Sequence, residues 1–252
     1  MGCRGHGQLN LGARLTRFLT FRGERVIELD SPKRPARRAG AKSDPIDAVR
    51  AARDALGREQ LGEPRGLGER AACSVLLPAR RSAVEAWATA QRQLQALVVT
   101  TPEVLRAKFQ RRSTHKMVSG ASRLRVDPVW DLETAATARA LQALARHALE
   151  LSTEAKAHKQ QLSVIVRNWR PDLLDENWRG PIVAAILLCA WSHAGRCRSE
   201  GAFAMLGGSA PIPASSGMTV RHRLNRSGGR QLNRALHTIV LVRLRHEPAT
   251  EA

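Results

Sequence analysis

Tyrosine is missing from this sequence, aromatic residues make up only 4% of it, and lysine is scarce. Of 41 basic residues just six are lysines, and 22 acidic residues oppose them, leaving a formal charge of +19. Long apolar runs are also lacking. No window reaches the roughly 18 apolar residues of a membrane span, and Ile182 to Trp191 has only the length of a buried helix. A membrane-spanning helix is thereby excluded. Cysteine is sparse, and Cys3, Cys73, Cys189 and Cys197 include no Cys-x-x-Cys pair. With no signal-peptide pattern at the start, this points to free thiols in a reducing cytosol rather than a disulfide scaffold. Cys189, His193 and Cys197 recur every fourth residue, but Gly195 interrupts that face and a fourth ligand is lacking, so no zinc site is expected.

What is abundant is arginine. An excess of positive charge on this scale favours a polyanionic partner, and the sequence offers no lipidation signal that would make the polyanion a membrane. The excess is concentrated late. From Arg196 to Arg245 there are nine arginines and one acid, Glu200.

The early part reads as a helix feeding a strand. Leu15, Phe18 and Leu19 suit a short helix over Ala13 to Phe21, closed by Gly23. Arg25 to Leu29 is a strand candidate ended by Ser31-Pro32. Arg34 to Lys42 is a basic loop. At Lys42-Ser43-Asp44-Pro45-Ile46-Asp47-Ala48, Asp44 reads as a helix cap, Pro45 as the first helical residue, and Asp47 as an acid in the first turn. The same spacing sets two carboxylates one turn apart, a donor pair suited to Mg²⁺.

The middle reads as helical. One helix is expected from Glu69, with a restart at Thr101-Pro102-Glu103, and Leu94, Leu97 and Val98 form an apolar stripe. A second long helix carries Leu141, Leu144, Ala148, Leu151, Ala155, His158, Leu162, Ile165 and Trp169 at alternating steps of three and four. That seam fits a helical hairpin or an intermolecular coiled coil, with His158 as a tolerated polar position. Trp169-Arg170-Pro171 stops the helix. Pro181 to Trp191, Ser199 to Leu206 and Gly229 to Arg245 are three further helices.

Between the last two of these stands the segment on which the functional reading rests. Pro211-Ile212-Pro213 opens it as extended chain, and Ala214-Ser215-Ser216-Gly217 follows with two hydroxyls beside a permissive glycine. Arg221, Arg223 and Arg226 come next, and if Thr219 to Leu224 is a strand, Arg221 and Arg223 share a side. Gly228-Gly229 then breaks the chain before the helix bearing Arg230 and Arg234. A serine hydroxyl beside guanidinium groups could attack a phosphodiester, because the fork of arginine matches phosphate oxygens, but composition alone favours a Ser-rich surface loop whose arginines are solvated or hold a phosphate backbone.

Ala210-Pro211-Ile212-Pro213-Ala214-Ser215-Ser216-Gly217, Val220-Arg221-His222-Arg223-Leu224-Asn225-Arg226 and Arg230-Gln231-Leu232-Asn233-Arg234-Ala235-Leu236-His237 resemble the C-terminal domain of insertion-sequence family 110 transposases. These are Piv-like DEDD enzymes. Gly180-Pro181-Ile182-Val183-Ala184-Ala185 and Phe203-Ala204-Met205-Leu206-Gly207-Gly208 fit the same domain. Lys42 to Ala48 looks like the last acidic pair of the family's RuvC-like domain. Two departures stand out. The family's earlier Asp would precede the first residue, the Glu would fall at Arg4-Gly5-His6-Gly7, which carries no carboxylate, and Trp178 replaces a glycine of the Gly-x-Gly-Pro turn.

The resemblance implies a mostly α fold, with a truncated α/β, RuvC or RNase H-like remnant at residues 1–68. A helical coiled-coil linker would span 69–172 and a small helical serine transposase domain 173–252, with truncation at both ends. It implies Ser216 as nucleophile with Ser215 as second choice, and Asp44 and Asp47 as Mg²⁺ ligands. Arg221, Arg223, Arg226, Arg230 and Arg234 would bind nucleic acid. It further implies DNA and a structured guide RNA as partners, a homo-oligomer formed through the linker, and a place beside the nucleoid in the bacterial cytoplasm. The competing reading, given the two missing acids, is an inactive remnant that binds DNA or RNA.

Overall fold

A computed structural model describes residues 8–29, 44–59, 61–175, 180–216 and 218–247. The Ser31-Pro32 stop, the Arg34 to Lys42 loop, the segment before Gln8, Trp178 and Gly217 lie outside them. The chain divides into two compact units, one from Met1–Gly66 with Ser192–Arg198, the other from Leu67–Trp191 with Ser199–Ala252.

In the first unit α1 (Gln8–Phe21) and α2 (Asp44–Leu56) are the described helices. Gly23, at a φ of 80°, turns the chain after α1, as glycine can without steric cost. The strand expected over Arg25 to Leu29 is reduced to a single bridge, in which Glu28 N–H donates to Gly62 O at 2.8 Å. One bridge supplies neither a ladder nor a pleated face to bury, so the α/β half-unit read from the sequence is not formed among the described residues. The approach is close, since a Cβ on Gly62 would stand 2.6 Å from Glu28 O. Ser192, itself buried, accepts a hydrogen bond from Gly66 N–H at 3.1 Å.

The second unit is built on an antiparallel helix pair, α3 (Glu69–Thr100) and α6 (Leu132–Trp169). The late part of α3, with Ala90, Leu94 and Val98, packs on Ala138, Leu141, Ala145 and Ala148 from the early part of α6. At the other end, Cys73 near the start of α3 meets Leu162 and Val166 near the end of α6. The heptad seam thus buries Leu141, Ala148, Ala155 and Leu162 within this chain. His158 stays at its edge, 3.4 Å from Glu154.

The helix boundaries follow local chemistry. Thr101-Pro102 separates α3 from α4 (Glu103–Phe109). Ser113 caps α5 (Thr114–Ser122) by accepting from Lys116 N–H. Asp131 caps α6, accepting from Thr134 N–H at 2.7 Å and from its hydroxyl at 3.0 Å. That backbone hydrogen bond, then the hydroxyl, holds the Asp131 carboxyl below its ordinary value. Arg170 and Pro171 end α6 in a short 3₁₀ turn. Phe109, Val118, Ala121 and Leu124 roof the upper cluster.

Below it, α7 (Pro181–Trp191) adds Ala184, Ala185 and Leu188 to the lower cluster. Cys73 shares a hydrogen bond with Cys189 there and is buried, and both effects raise its pKa, keeping a neutral thiol. Because α7 ends at Trp191, the helical spacing of Cys189, His193 and Cys197 is not realised. Then come α8 (Glu200–Gly207), a two-stranded hairpin of β1 (Ile212–Pro213) and β2 (His222–Arg223), and α9 (Arg230–His246). Among the described residues no helix is long and apolar enough to cross a membrane.

Candidate nucleic-acid interface

The interface starts from a helix end. The last turn of α8 leaves carbonyls without helical partners, and every one finds a donor. Ser209 N–H donates to Ala204 O, Asn225 Nδ2 to Met205 O at 3.2 Å, Gly229 N–H to Leu206 O at 2.7 Å, and Asn233 Nδ2 to Gly207 O at 2.9 Å. Three of these donors lie beyond the hairpin, so the end of α8 gathers both the return strand and the start of α9. Asn225 is buried, and its Oδ1 accepts from Ser227 N–H at 3.0 Å and from the Ser227 hydroxyl at 2.7 Å.

Two glycines allow this closure. Gly208 ends α8 in the left-handed region, at a φ of 69°. Gly228 lies against it so closely that a Cβ there would stand 2.2 Å from Gly208 N. Any side chain at Gly228 would separate the two backbones.

From this clamp the hairpin projects. Ile212 pairs with Arg223, Pro213 with His222, and Ser216 with Thr219. Ala214 N–H donates to Arg221 O at 2.8 Å, which continues the same register. In an antiparallel pair, residues directly opposite lie on one face. Of the strand expected over Thr219 to Leu224 only His222–Arg223 forms a ladder, and Ala214 with Arg221 and Ser216 with Thr219 continue its register towards the tip.

The two serines differ. Ser215 Oγ accepts from Arg221 N–H at 3.2 Å and lies 3.4 Å from Arg221 O. It takes the place of a backbone acceptor in the ladder. Ser216 uses its backbone at the tip, exchanging two 3.2 Å hydrogen bonds with Thr219. Its exposed side chain makes no hydrogen bond among the described residues.

Behind the hairpin a groove of about 620 Å³ is lined by Arg226, Arg230, Asn233, Arg234 and His237, with Gly207, Gly208 and Gly228 at its floor. No carboxylate lines it. Of the arginines singled out from the sequence, the groove joins Arg226, Arg230 and Arg234, while Arg221 and Arg223 stand on the hairpin. Sequence reasoning missed Asn225, Asn233, His237 and Gly208 as members of this site. The signal available was the pair of Gly-Gly steps, Gly207-Gly208 and Gly228-Gly229, which mark a close backbone crossing.

Asp44 and Asp47 belong to the other unit, in the first turn of α2, and their side chains are outside what is described. As hard oxygen donors one turn apart they fit the donor set of Mg²⁺, which is commonly held by one or two carboxylates with water and phosphate oxygens. Among the described residues no cluster of three or more His, Cys, Asp or Glu could hold a metal ion.

No curated protein matches the chain. A family model does, that of the Transposase IS116/IS110/IS902 family, over residues 179–252. That range contains α7, the clamp of Gly208 and Gly228, the serine hairpin and the arginine groove. Residues 179–252 are thus similar to a transposase domain of the IS116/IS110/IS902 family.

Proposed function

We propose that this chain acts on DNA as a transposase, with Ser216 as the nucleophile that attacks a phosphodiester. The observation that carries the reading is the register of the hairpin. Ser216 lies at the tip of the hairpin that carries Arg221 and Arg223, with no hydrogen bond to its side chain among the described residues, while the Ser215 hydroxyl accepts from Arg221 N–H. Attack would form a bond from Ser216 Oγ to phosphorus and release a sugar hydroxyl. The serine loses a proton and the departing sugar oxygen gains one. Arg221 and Arg223 would offset the charge gathering on the phosphoryl oxygens, and Arg226, Arg230 and Arg234 would hold the flanking backbone. Asp44 and Asp47 are assigned to Mg²⁺, which when bound supplies Lewis-acid stabilisation of phosphoryl charge. A structured guide RNA would use the same positive surface. A second copy of this chain would dock on a face other than the seam already buried between α3 and α6.

A second reading has its own support. The groove of Arg226, Arg230 and Arg234 would hold a nucleic-acid backbone whether or not a serine reacts, so the chain also fits an inactive DNA- or RNA-binding protein of the same descent. One experiment separates the two. A DNA substrate nicked so that the cut end cannot religate traps a covalent adduct with an active enzyme. The adduct is expected with the parent chain and with Ser215→Ala, and is expected to vanish with Ser216→Ala. Persistence in Ser216→Ala removes that serine from the chemistry. No adduct in any variant, alongside salt-sensitive DNA binding, selects the binding protein.

A further inference from the structure

A second strongly basic concavity lies outside the transposase domain, at the junction of α4 and α5. It encloses about 810 Å³ and is lined by Arg111, Arg112, Ser113, His115, Lys116 and Arg123, with no carboxylate among its lining residues. Four permanent positive charges therefore meet there. Arg123 is held in place, donating from Nε to Ser119 O at 3.0 Å and from its terminal nitrogen to Ser119 Oγ at 2.5 Å. The side chains of Arg111, Arg112 and Lys116 make no hydrogen bond or ion pair among the described residues. The nearby Glu103 is engaged with Arg106 and Gln110.

The floor is rigid. Phe109, Val118 and Ala121, from the same two helices, are buried in the upper core. Like charges collected on a firm surface repel one another, and an anion relieves that repulsion. Arg111 adds an independent observation. It follows the end of α4 with a φ of 56°, a position where glycine is free of strain and arginine is not. The backbone there would be easier to form without the arginine side chain.

We propose that this groove is a second seat for the phosphate backbone of nucleic acid. It lies on the helical linker and is separate from the groove behind the serine hairpin. The ligand class is the one assigned above, so the proposal deepens that reading and rests on nucleic-acid binding by the chain. Four cations and two hydroxyl-bearing residues, Ser113 and Ser119, offer contacts to successive phosphates but no apolar slot for a base. Recognition here is of the backbone, not of sequence.

The test uses the full chain, with a random-sequence DNA duplex and an RNA hairpin as probes, and affinity followed across a salt series. Removing one cation from the phosphate backbone should reduce the steepness of log affinity against log salt by about 0.9 on duplex DNA. Arg111→Gly should lower it by about 1, and the pair Arg112→Gln with Lys116→Gln by about 2. Arg111→Gly also relieves the backbone, so its melting temperature should match that of the parent while binding weakens. Arg111→Lys should restore the slope. A slope unchanged in Arg111→Gly and in the double variant, when Arg230→Gln with Arg234→Gln does reduce it, overturns the linker seat and leaves the C-terminal reading intact. Absence of binding by the parent at low salt overturns both. A change confined to the RNA probe, or to the DNA probe, supports the seat and names its strand type.

Discussion

The two units use similar local sequence to different ends. In the second unit, apolar residues at helical spacing close into two cores, and Leu94, Leu105, Leu141, Leu162 and Val166 are fully shielded from solvent. In the first, the same kind of spacing yields helices with several described apolar side chains left outside. Phe18 is 54% and Phe21 90% exposed, and Leu15, Val49 and Leu56 are also exposed. Among the described residues every buried apolar side chain belongs to the second unit. An amphipathic pattern is enough to wind a helix, but a core needs a second surface at the right distance. In the first unit the expected sheet would have been that surface, and among the described residues the Glu28–Gly62 bridge stands in its place.

If the contrast is sound, substitutions should divide along it. The largest effect is expected at Leu141→Ala, which removes a fully buried side chain between α3 and α6 and should cost about 4 kcal/mol in chemical denaturation. Gly228→Ala comes next. Its new methyl group meets backbone rather than a flexible side chain, so a loss of about 3 kcal/mol in unfolding free energy is expected, with the groove behind the hairpin opened. Asn225→Ala should cost about 2 kcal/mol by the same measurement, because Met205 O and Ser227 N–H lose a buried partner.

A smaller effect is tied to pH. The carboxyl of Asp131 titrates below its ordinary value of 3.8 in the folded chain. Its stabilising contribution is therefore complete above the unfolded value and disappears as pH falls through the folded one. Asp131→Asn retains a capping oxygen for Thr134 but has no proton to gain. Its thermal melting profile should fall less steeply than that of the parent below about pH 4. The smallest effect is expected in the first unit, where Phe18→Ser should change unfolding free energy by less than about 0.5 kcal/mol. A loss there as large as at Leu141 would mean that α1 is packed in solution and that the contrast is wrong.

How far sequence could lead follows the same division. Helix ends were legible because their causes are local. Thr101-Pro102, Trp169-Arg170-Pro171 and the glycine before Arg230 each act within a turn or two of themselves. The strand at Arg25 to Leu29 was misread because a strand exists only with a partner, and its own residues do not say whether one arrives. The pairing of α3 with α6 was visible as an apolar seam, but not whether the seam would be filled by the same chain or by another. In the candidate site, Ser215, Ser216 and the arginines could be picked out by residue type. The resemblance ranked Ser216 ahead of Ser215, and the hairpin adds that the Ser215 hydroxyl accepts within the ladder while Ser216 lies at the tip. Asn225 and Asn233 escaped notice because their partners, Met205 and Gly207, lie some twenty or more residues earlier. The basic seat at Arg111 to Arg123 was spread among ordinary helix residues, and only the turn between α4 and α5 gathers it.

The meeting of Gly208 with Gly228 also sets a leash. Both ends of the intervening chain are pinned at one point, so the serine at the tip moves as if on a short boom hinged at its foot. Even with the chain from Gly208 to Ser216 drawn straight, the Ser216 Cα reaches only about 29 Å from that anchor. A phosphodiester that Ser216 is proposed to attack would have to come within that radius.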